Sequence, residues 1–189
     1  MKVEVRISGL GGQGVILAGQ ILGRAAVYDG KNAVQTQSYG AEARGSAAKS
    51  EVIISDDKIG FPVVRKCDIL VAMSQEAVDR NLKELKENGF VLIDSSTVKK
   101  VPKIKAEIFK IRATEIAQKT FSAKIYANMI MLGAFTTLTR IISKEAMIKA
   151  IKEIVPTKIV DIDLQAYKKG LTLTSKFLYD LRFDPNDIS

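Results

Sequence analysis

The architecture predicted for this chain is set by the stretch Ser8-Gly9-Leu10-Gly11-Gly12-Gln13-Gly14-Val15. An alternating run at residues 3–7 precedes it and a helical pattern at residues 15–22 follows it, which together predict a strand, a glycine loop and a helix. The G-x-G-x-x-G spacing of dinucleotide sites is matched by Gly9, Gly11 and Gly14. Glycines permit a tight turn and let backbone N–H groups approach a phosphate. The alternative is a turn that only packs the first helix close to the sheet.

The second predicted strand does not favour a nicotinamide cofactor. Such a site needs an acidic residue near the end of that strand to hold the ribose hydroxyl, whereas residues 32–37 end in amides. Asp29 lies at about the right sequence distance, but Asp29-Gly30 is typical of the turn before the strand. The loop is therefore predicted to receive an anion. A stand-alone nucleotide-binding dehydrogenase would need the missing acid.

The composition predicts one globular domain with a basic surface. A chain of 189 residues is long enough for a full core, so we expect residues 1–189 to form a single domain. The net charge of +8 suits nucleic acid, an acidic cofactor or an acidic partner, and equally the lysine-rich surface of a thermophile protein. A nucleic-acid binder would need aromatic residues among the basic ones, and the Tyr and Phe residues here lie mostly in apolar patterns. We therefore expect no nucleic-acid partner.

Several kinds of chemistry are excluded because the chain has no histidine and only one cysteine, Cys67. It cannot hold an iron–sulfur cluster alone, a structural zinc of the usual Cys/His kind, or a Ser–His–Asp or Cys–His mechanism. It cannot form an internal disulfide either, which fits a reducing cytoplasm. Cys67 precedes an apolar run and is predicted to be a buried small side chain.

No segment predicts export or membrane insertion. The N-terminus lacks a secretory pattern, since strand-like residues begin at Val3 and the glycine loop interrupts them. The longest apolar stretch, residues 125–138, is too short to span a bilayer and indicates a core helix. We expect a cytoplasmic protein with no membrane contact.

The remaining elements predict the fold class. Further strands are expected at residues 47–54, 68–73, 90–94 and 106–111. Helices are expected from Ser74 through Leu82 and Leu85 to Asn88-Gly89, and from Thr114 to Ser175, with a cap at Ser143 and an interruption at Pro156. This order predicts a single Rossmann-like, open, mainly parallel α/β sheet flanked by helices, with a helical C-terminal third. Residues 94–97 follow the carboxyl end of a strand, where ligand loops often lie.

A second polar loop, residues 37–46, carries three side chains that a plain connection does not need: Tyr39, Glu42 and Arg44. Arg44 offers a planar fork suited to a carboxylate or phosphate. An ion pair between Arg44 and Glu42 that only shapes the loop is the alternative. Both this loop and the glycine loop leave strands at their carboxyl ends, so we expect them to face one crevice.

Four ordered motifs resemble the gamma subunit of 2-oxoacid:ferredoxin oxidoreductases over residues 2–170. They are residues 9–15 with Ala18-Gly19 and Leu22-Gly23, residues 38–45 followed by residues 50–54, residues 127–129 with residues 132–135, and residues 166–170. The chain departs from the family pattern at Ser46, where a second glycine is common, and at Asp163, where asparagine is expected. The tail, residues 177–189, has no counterpart in the motifs.

The resemblance implies a subunit that is inactive alone, in an enzyme that oxidatively decarboxylates a 2-oxoacid, transfers the acyl group to coenzyme A and reduces ferredoxin. Thiamine diphosphate, magnesium and iron–sulfur clusters are implied on the other subunits or at interfaces, and this sequence has no Gly-Asp-Gly followed by asparagine, the usual thiamine diphosphate signature. The implied partners are alpha and beta subunits, optionally a delta subunit, ferredoxin and coenzyme A. The form of residues 38–45 is most similar to 2-oxoglutarate members, with pyruvate and 2-oxoisovalerate members as alternatives. No catalytic or metal-binding residue is implied; the implied cofactor-binding residues are Gly9, Gly11, Gly12, Gln13, Gly14, Tyr39, Glu42, Arg44 and Asn128.

Overall fold

The fold is a six-stranded sheet with helices on both faces. The computed structural model describes residues 1–40 and 45–182, with side chains up to residue 175. The strands are β1 (Lys2–Leu10), β2 (Asn32–Tyr39), β3 (Ala47–Ser55), β4 (Cys67–Ala72), β5 (Leu85–Asp94) and β6 (Glu107–Ile111). The helices are α1 (Val15–Tyr28), α2 (Gln75–Asn81), α3 (Ala113–Phe121), α4 (Ala127–Thr139), α5 (Lys144–Ile154) and α6 (Val160–Arg182), with short 3-10 helices at Leu82–Glu84 and Lys124–Tyr126.

The sheet has the strand order β2-β3-β1-β4-β5-β6 and contains one reversed strand. The pairs β1–β4, β4–β5 and β5–β6 are parallel, whereas β3 is antiparallel to both of its neighbours. The connection from β2 to β3, residues 40–46, is too short for the crossover that parallel neighbours require, so the chain returns in the opposite direction. The mainly parallel, Rossmann-like sheet with a helical C-terminal third is confirmed.

The larger core lies between the sheet and the helices α1 and α3–α6. α4 is its central element, because every residue from Ala127 to Thr137 is buried, as the prediction of a core helix requires. α4 packs very closely on α6. A Cβ atom on Gly133 would overlap the backbone of Tyr167, and one on Gly170 would overlap the backbone of Ile130. Glycine at these two positions allows the helix backbones to approach closely.

Local signals at helix ends and turns are confirmed at three positions. The Ser143 hydroxyl accepts a hydrogen bond from the Ala146 N–H at 3.1 Å and begins α5. The Ser74 hydroxyl accepts one from the Ala77 N–H at 3.1 Å and begins α2. Gly30 has a φ of +74°, which suits the turn before β2.

The helix predicted through Leu82 and Leu85 to Asn88-Gly89 is wrong beyond Asn81. The chain passes through one short 3-10 turn, and Leu85 already pairs with Cys67 in the parallel ladder between β4 and β5. Asn88 has a φ of +58° inside the irregular start of β5. Tertiary pairing therefore overrides the helical spacing of the two leucines.

The buried side chain of Arg6, in β1, forms ion pairs with β3 and with the 3-10 helix at Leu82–Glu84. The Arg6 side chain is 1% exposed, and its guanidinium pairs with Glu51 at 2.6 Å and with Glu84. It also donates to the Val64 carbonyl at 3.3 Å. Burial disfavours the charged guanidinium, but the carboxylate of Glu51 outweighs this cost and raises the pKa of Arg6. Arg6 and Ser8 of β1 are therefore buried on the face of the sheet that carries the second, smaller core under α2, and not in solvent.

Within the described residues, no helix has both the length and the apolar character needed to cross a membrane.

Candidate anion-binding site

The glycine loop turns sharply between β1 and α1. Gly12 has a φ of +92° and Gly14 a φ of +71°, both in the left-handed region that favours glycine. Gly14 is the N-cap of α1, and no side chain caps that helix end. Gly11 and Gly12 are exposed, and space around Gly12 is open. The loop therefore presents backbone at the N-terminus of a 14-residue helix, where N–H groups favour anions.

Gln13 holds this loop against the neighbouring strand. Its side-chain oxygen accepts a hydrogen bond from the Leu10 N–H at 2.7 Å, and its amide nitrogen donates to the Met73 carbonyl at 2.8 Å. A Cβ atom on Gly9 would overlap that side-chain oxygen. Gly9 is therefore needed to make room for the Gln13 side chain, which is a packing reason and not a conformational one.

Asn128, at the start of α4, lies beneath the loop. Its side chain is 2% exposed, its amide nitrogen donates to the Gly14 carbonyl at 3.4 Å, and its oxygen accepts from the Met129 N–H at 2.7 Å. A Cβ atom on Gly14 would overlap the Asn128 amide. The structure thus brings together two predicted site residues, Gly14 and Asn128, that are 114 positions apart in the sequence.

The second polar loop meets the glycine loop at the same edge of the sheet. The Gly11 N–H donates to the Ser46 carbonyl at 2.8 Å, and the Gly40 N–H donates to the Ala47 carbonyl at 2.7 Å. Tyr39, at the carboxyl end of β2, is 61% exposed. The crevice shared by the two loops is thus supported by direct contact at Ser46. The predicted site residues Glu42 and Arg44 lie outside the described residues.

The polar loop after β5 serves as a cap for α3. The buried Asp94 carboxylate accepts hydrogen bonds from the Thr114 N–H at 3.0 Å and from the Thr114 hydroxyl at 2.5 Å. The Ser96 hydroxyl accepts from the Glu115 N–H at 3.1 Å. Thr97 donates to the Met73 carbonyl at 2.9 Å. These side chains have partners within the fold, so the loop is explained by packing and helix capping.

The Asp29 side chain binds another part of the fold and does not lie at the glycine loop. Its carboxylate accepts hydrogen bonds from both the N–H and the hydroxyl of Ser143, each at 2.6 Å, at the start of α5. The predicted turn at Asp29-Gly30 is confirmed by the backbone, where the Gly30 N–H donates to the Val27 carbonyl at 3.0 Å. Asp29 follows the C-terminus of α1, whereas the glycine loop precedes the N-terminus of that helix, so the two lie at opposite ends of α1.

Among the described residues, no group of three or more Asp, Glu or Cys side chains is arranged to hold a metal ion. Cys67 is buried, as predicted, and burial raises the pKa of its thiol to about 11.

A glycine loop at the start of the first helix of a Rossmann-like sheet defines the general class of this protein, and comparisons with known proteins give its family. Residues 4–173 match the model of the pyruvate ferredoxin/flavodoxin oxidoreductase family. The chain belongs to this family.

Individual relatives extend over nearly the whole chain. It is 54% identical over 173 residues to the 2-oxoglutarate synthase subunit KorC of Methanocaldococcus jannaschii, covering 90% of this chain and 92% of the relative. The ketoisovalerate oxidoreductase subunit VorA of Methanothermobacter marburgensis is 33% identical, covering 94% of this chain and 37% of the relative. The pyruvate synthase subunit PorC of the same organism is 36% identical, covering 87% of this chain and 93% of the relative. The solved gamma subunit of a keto/oxoacid ferredoxin oxidoreductase from Geobacter sulfurreducens is 44% identical, with a TM-score of 0.82 over 92% of this chain and 99% of that one.

Proposed function

We infer that this chain is the gamma-type subunit of a 2-oxoglutarate:ferredoxin oxidoreductase, which decarboxylates 2-oxoglutarate, forms succinyl-coenzyme A and reduces ferredoxin. The observation that carries this conclusion is the 54% identity, over nine-tenths of both chains, to a 2-oxoglutarate synthase subunit. Pyruvate and 2-oxoisovalerate enzymes are the alternatives, and their subunits are less similar, at 33–36% identity. The whole chain, residues 1–189, is proposed to act as one domain of a cytoplasmic complex.

The complex is proposed to divide its chemistry among subunits. Thiamine diphosphate, magnesium and iron–sulfur clusters belong to the companion alpha and beta subunits, with a delta subunit as an option, and ferredoxin binds the assembled complex. The composition of this chain supports that division, because a single cysteine and no histidine leave it without the usual cluster ligands.

The glycine loop is proposed to contribute to the coenzyme A site. Backbone N–H groups at Gly12, Gly14 and the start of α1 would receive a phosphate of the cofactor. Gln13 and Asn128 would act indirectly, because their side chains already hold the loop through hydrogen bonds to backbone groups.

The second loop is proposed to complete this crevice. Tyr39 presents an exposed ring at the same edge of the sheet, and Arg44 and Glu42 follow it in the sequence. An exposed aromatic ring and a guanidinium fork suit a nucleotide that carries phosphates. Gly45, with a φ of +66°, begins the return of the chain towards the glycine loop at Ser46.

A substitution at Gly12 tests the phosphate assignment in the reconstituted complex. Gly12→Asp places a carboxylate where N–H groups converge, and we expect the KM for coenzyme A to rise about tenfold or more, which corresponds to ~1.4 kcal/mol. The KM for 2-oxoglutarate should change less than about twofold, because it is bound elsewhere.

The matched control is Gly30→Asp. Gly30 also has a positive φ, at +74° against +92° for Gly12, and open space around it, but it lies beyond the other end of α1. Gly30→Asp introduces similar backbone strain far from the glycine loop, so it should leave the KM for coenzyme A unchanged. An unchanged KM for coenzyme A in the assembled Gly12→Asp enzyme would show that the loop is purely structural. Activity of the wild-type complex with pyruvate instead of 2-oxoglutarate would contradict the proposed substrate.

A further inference from the structure

An exposed apolar loop lies at the amino-terminal edge of the parallel strands, away from the glycine loop. The connection from β3 to β4 has no regular secondary structure, and Ile59 and Val64 pack against the second core. Phe61 and Val63 face outward instead, with 59% and 48% of their surfaces exposed. The inward residues already fix the loop, so the fold gives no reason for the two outward apolar side chains.

Basic side chains surround these two residues. A shallow depression of about 540 Å³ is lined by Lys2, Glu4, Phe61, Val63, Arg65, Lys66 and Lys86, hereafter the Phe61 patch. Its one carboxylate, Glu4, is already bound by Lys2 at 3.1 Å and Lys86 at 2.8 Å. The patch therefore has a positive surplus with no available anion.

Two of the cations are available to a partner. Within the described residues, Arg65 and Lys66 form no ion pair. The Arg65 guanidinium lies 5.9 Å from the centre of the Phe61 ring, so charge and apolar surface are presented together. An aromatic anchor beside an arginine, with charges at the rim, is the composition of a protein-binding surface.

We propose that the Phe61 patch docks an acidic segment of a companion subunit that also carries an apolar side chain. The apolar side chain would cover Phe61 and Val63, and carboxylates would pair with Arg65 and Lys66. The proposal rests on the assignment of this chain as an oxidoreductase subunit. A nucleic acid fits less well, because the patch has one aromatic ring and lacks the series of rings on which successive bases stack.

The patch is separated from the proposed coenzyme A site. Lys2 begins β1 and Leu10 ends it, a span of about 26 Å, and the glycine loop follows Leu10. Substitutions in the patch should therefore affect assembly and leave the KM for coenzyme A of any complex that forms unchanged.

The proposal is tested by measuring the association of the full chain with its companion subunits, which are expressed from genes of the same organism. Phe61→Ser and the double reversal Arg65→Glu/Lys66→Glu should each weaken association about tenfold or more, as loss of central anchor residues does. The double reversal should also reduce the dependence of association on salt, since fewer charge pairs remain to be screened.

The controls match exposure and charge elsewhere on the molecule. Val27 on α1 is 48% exposed, so Val27→Ser controls for loss of apolar surface. Lys158→Glu/Lys168→Glu controls for reversal of two exposed charges. Both controls should bind companions within about twofold of the wild type, as surface changes outside an interface do. Thermal unfolding checks that each variant is folded. If Phe61→Ser unfolds at a lower temperature than the wild type, Val63→Ser is used instead.

The outcomes separate this proposal from the function. Patch variants that assemble like the wild type, in a complex that needs 2-oxoglutarate and coenzyme A, would overturn the docking surface and leave the function standing. A wild-type chain that binds no companion subunit would overturn the proposed function. Binding of a labelled oligonucleotide that the double reversal abolishes, with companion binding unaffected, would also overturn the proposal.

Discussion

Asp163 provides the sharpest test of the packing, because it is a carboxylate buried near the start of α6. The residue is 4% exposed, and burial raises the pKa of its carboxyl from the ordinary 3.8 to about 6. The described hydrogen bonds include its backbone N–H, which donates to the Ile159 carbonyl at 3.1 Å, and none to its carboxylate. The family pattern leads one to expect asparagine here. Asp163→Asn removes the charge and keeps the shape of the side chain.

The magnitude follows from the pKa difference between the folded and unfolded chain. Moving the carboxyl pKa of Asp163 from 3.8 to about 6 costs about 3 kcal/mol of unfolding free energy once the group is ionised. Because the pKa is higher in the folded chain than in the unfolded chain, the protein keeps this unfolding free energy below about pH 4, where the carboxyl is protonated, and loses it as the pH rises through about 6. A carboxylate near the N-terminus of a helix also gains ~0.3–1 kcal/mol, which asparagine gives up. We therefore expect Asp163→Asn to be about 2 kcal/mol more stable than the wild type at pH 8.

Urea unfolding of the full chain at several pH values measures this effect. The difference in unfolding free energy between Asp163→Asn and the wild type should be small or slightly negative at pH 4 and should grow steadily to pH 7. Asp161→Asn is the matched control, because Asp161 lies in the same first turn and is exposed. Asp161→Asn should lack the large stabilisation expected of Asp163→Asn, because an exposed carboxylate bears no cost of burial. A difference for Asp163→Asn that is independent of pH would refute the argument from burial.

Other features of the fold lead to three further predictions. Gly133→Ala forces α4 away from the α6 backbone and should lower the unfolding free energy by about 1–3 kcal/mol. Its control is Gly23→Ala in α1, whose added Cβ meets its nearest atoms at 3.8 Å and which should raise the unfolding free energy by up to ~1 kcal/mol. Equal effects of the two variants in urea unfolding would contradict the close contact between α4 and α6. Arg6→Met removes a buried cation and leaves the partly buried Glu51 with Lys49 alone, at 3.4 Å, so by the same measurement it should cost about 2 kcal/mol and clearly more than Arg24→Met in an exposed pair. Cys67 should react with a thiol reagent at pH 8 only at the rate of unfolding, and rapid labelling of the folded chain would show that the thiol is not buried.

The sequence was sufficient wherever the chemistry is local. Gly12 and Gly14 predict a turn because few other residues adopt a positive φ, and both have one in the structure. Ser143 predicts a helix start because its hydroxyl satisfies an N–H three residues later, and this hydrogen bond is present. The glycine loop, the parallel strands after it and the helical C-terminal third could therefore be predicted from neighbouring residues.

Prediction failed where distant segments compete with local preference. Leu82 and Leu85 have helical spacing, yet Leu85 enters β5 because the ladder with Cys67 and the second core offers more burial than another helical turn. Arg6 alternates with apolar residues as a solvent-facing residue would, yet it is buried because Glu51 and Glu84 converge on it. Neither carboxylate could be paired with Arg6 from spacing alone.

The sequence by itself determined the glycine loop and the lack of the usual cluster and zinc ligands, because each depends on residue type and short spacing. Only the tertiary structure decided the pairing of β3 with β1 and the contact between Gly11 and Ser46 that joins the two loops. It also decided that Asn128 lies beneath Gly14 and that Asp163 is buried. These features depend on which segments pack together across more than thirty residues, and that choice is made by the burial of the whole chain and not by any local pattern.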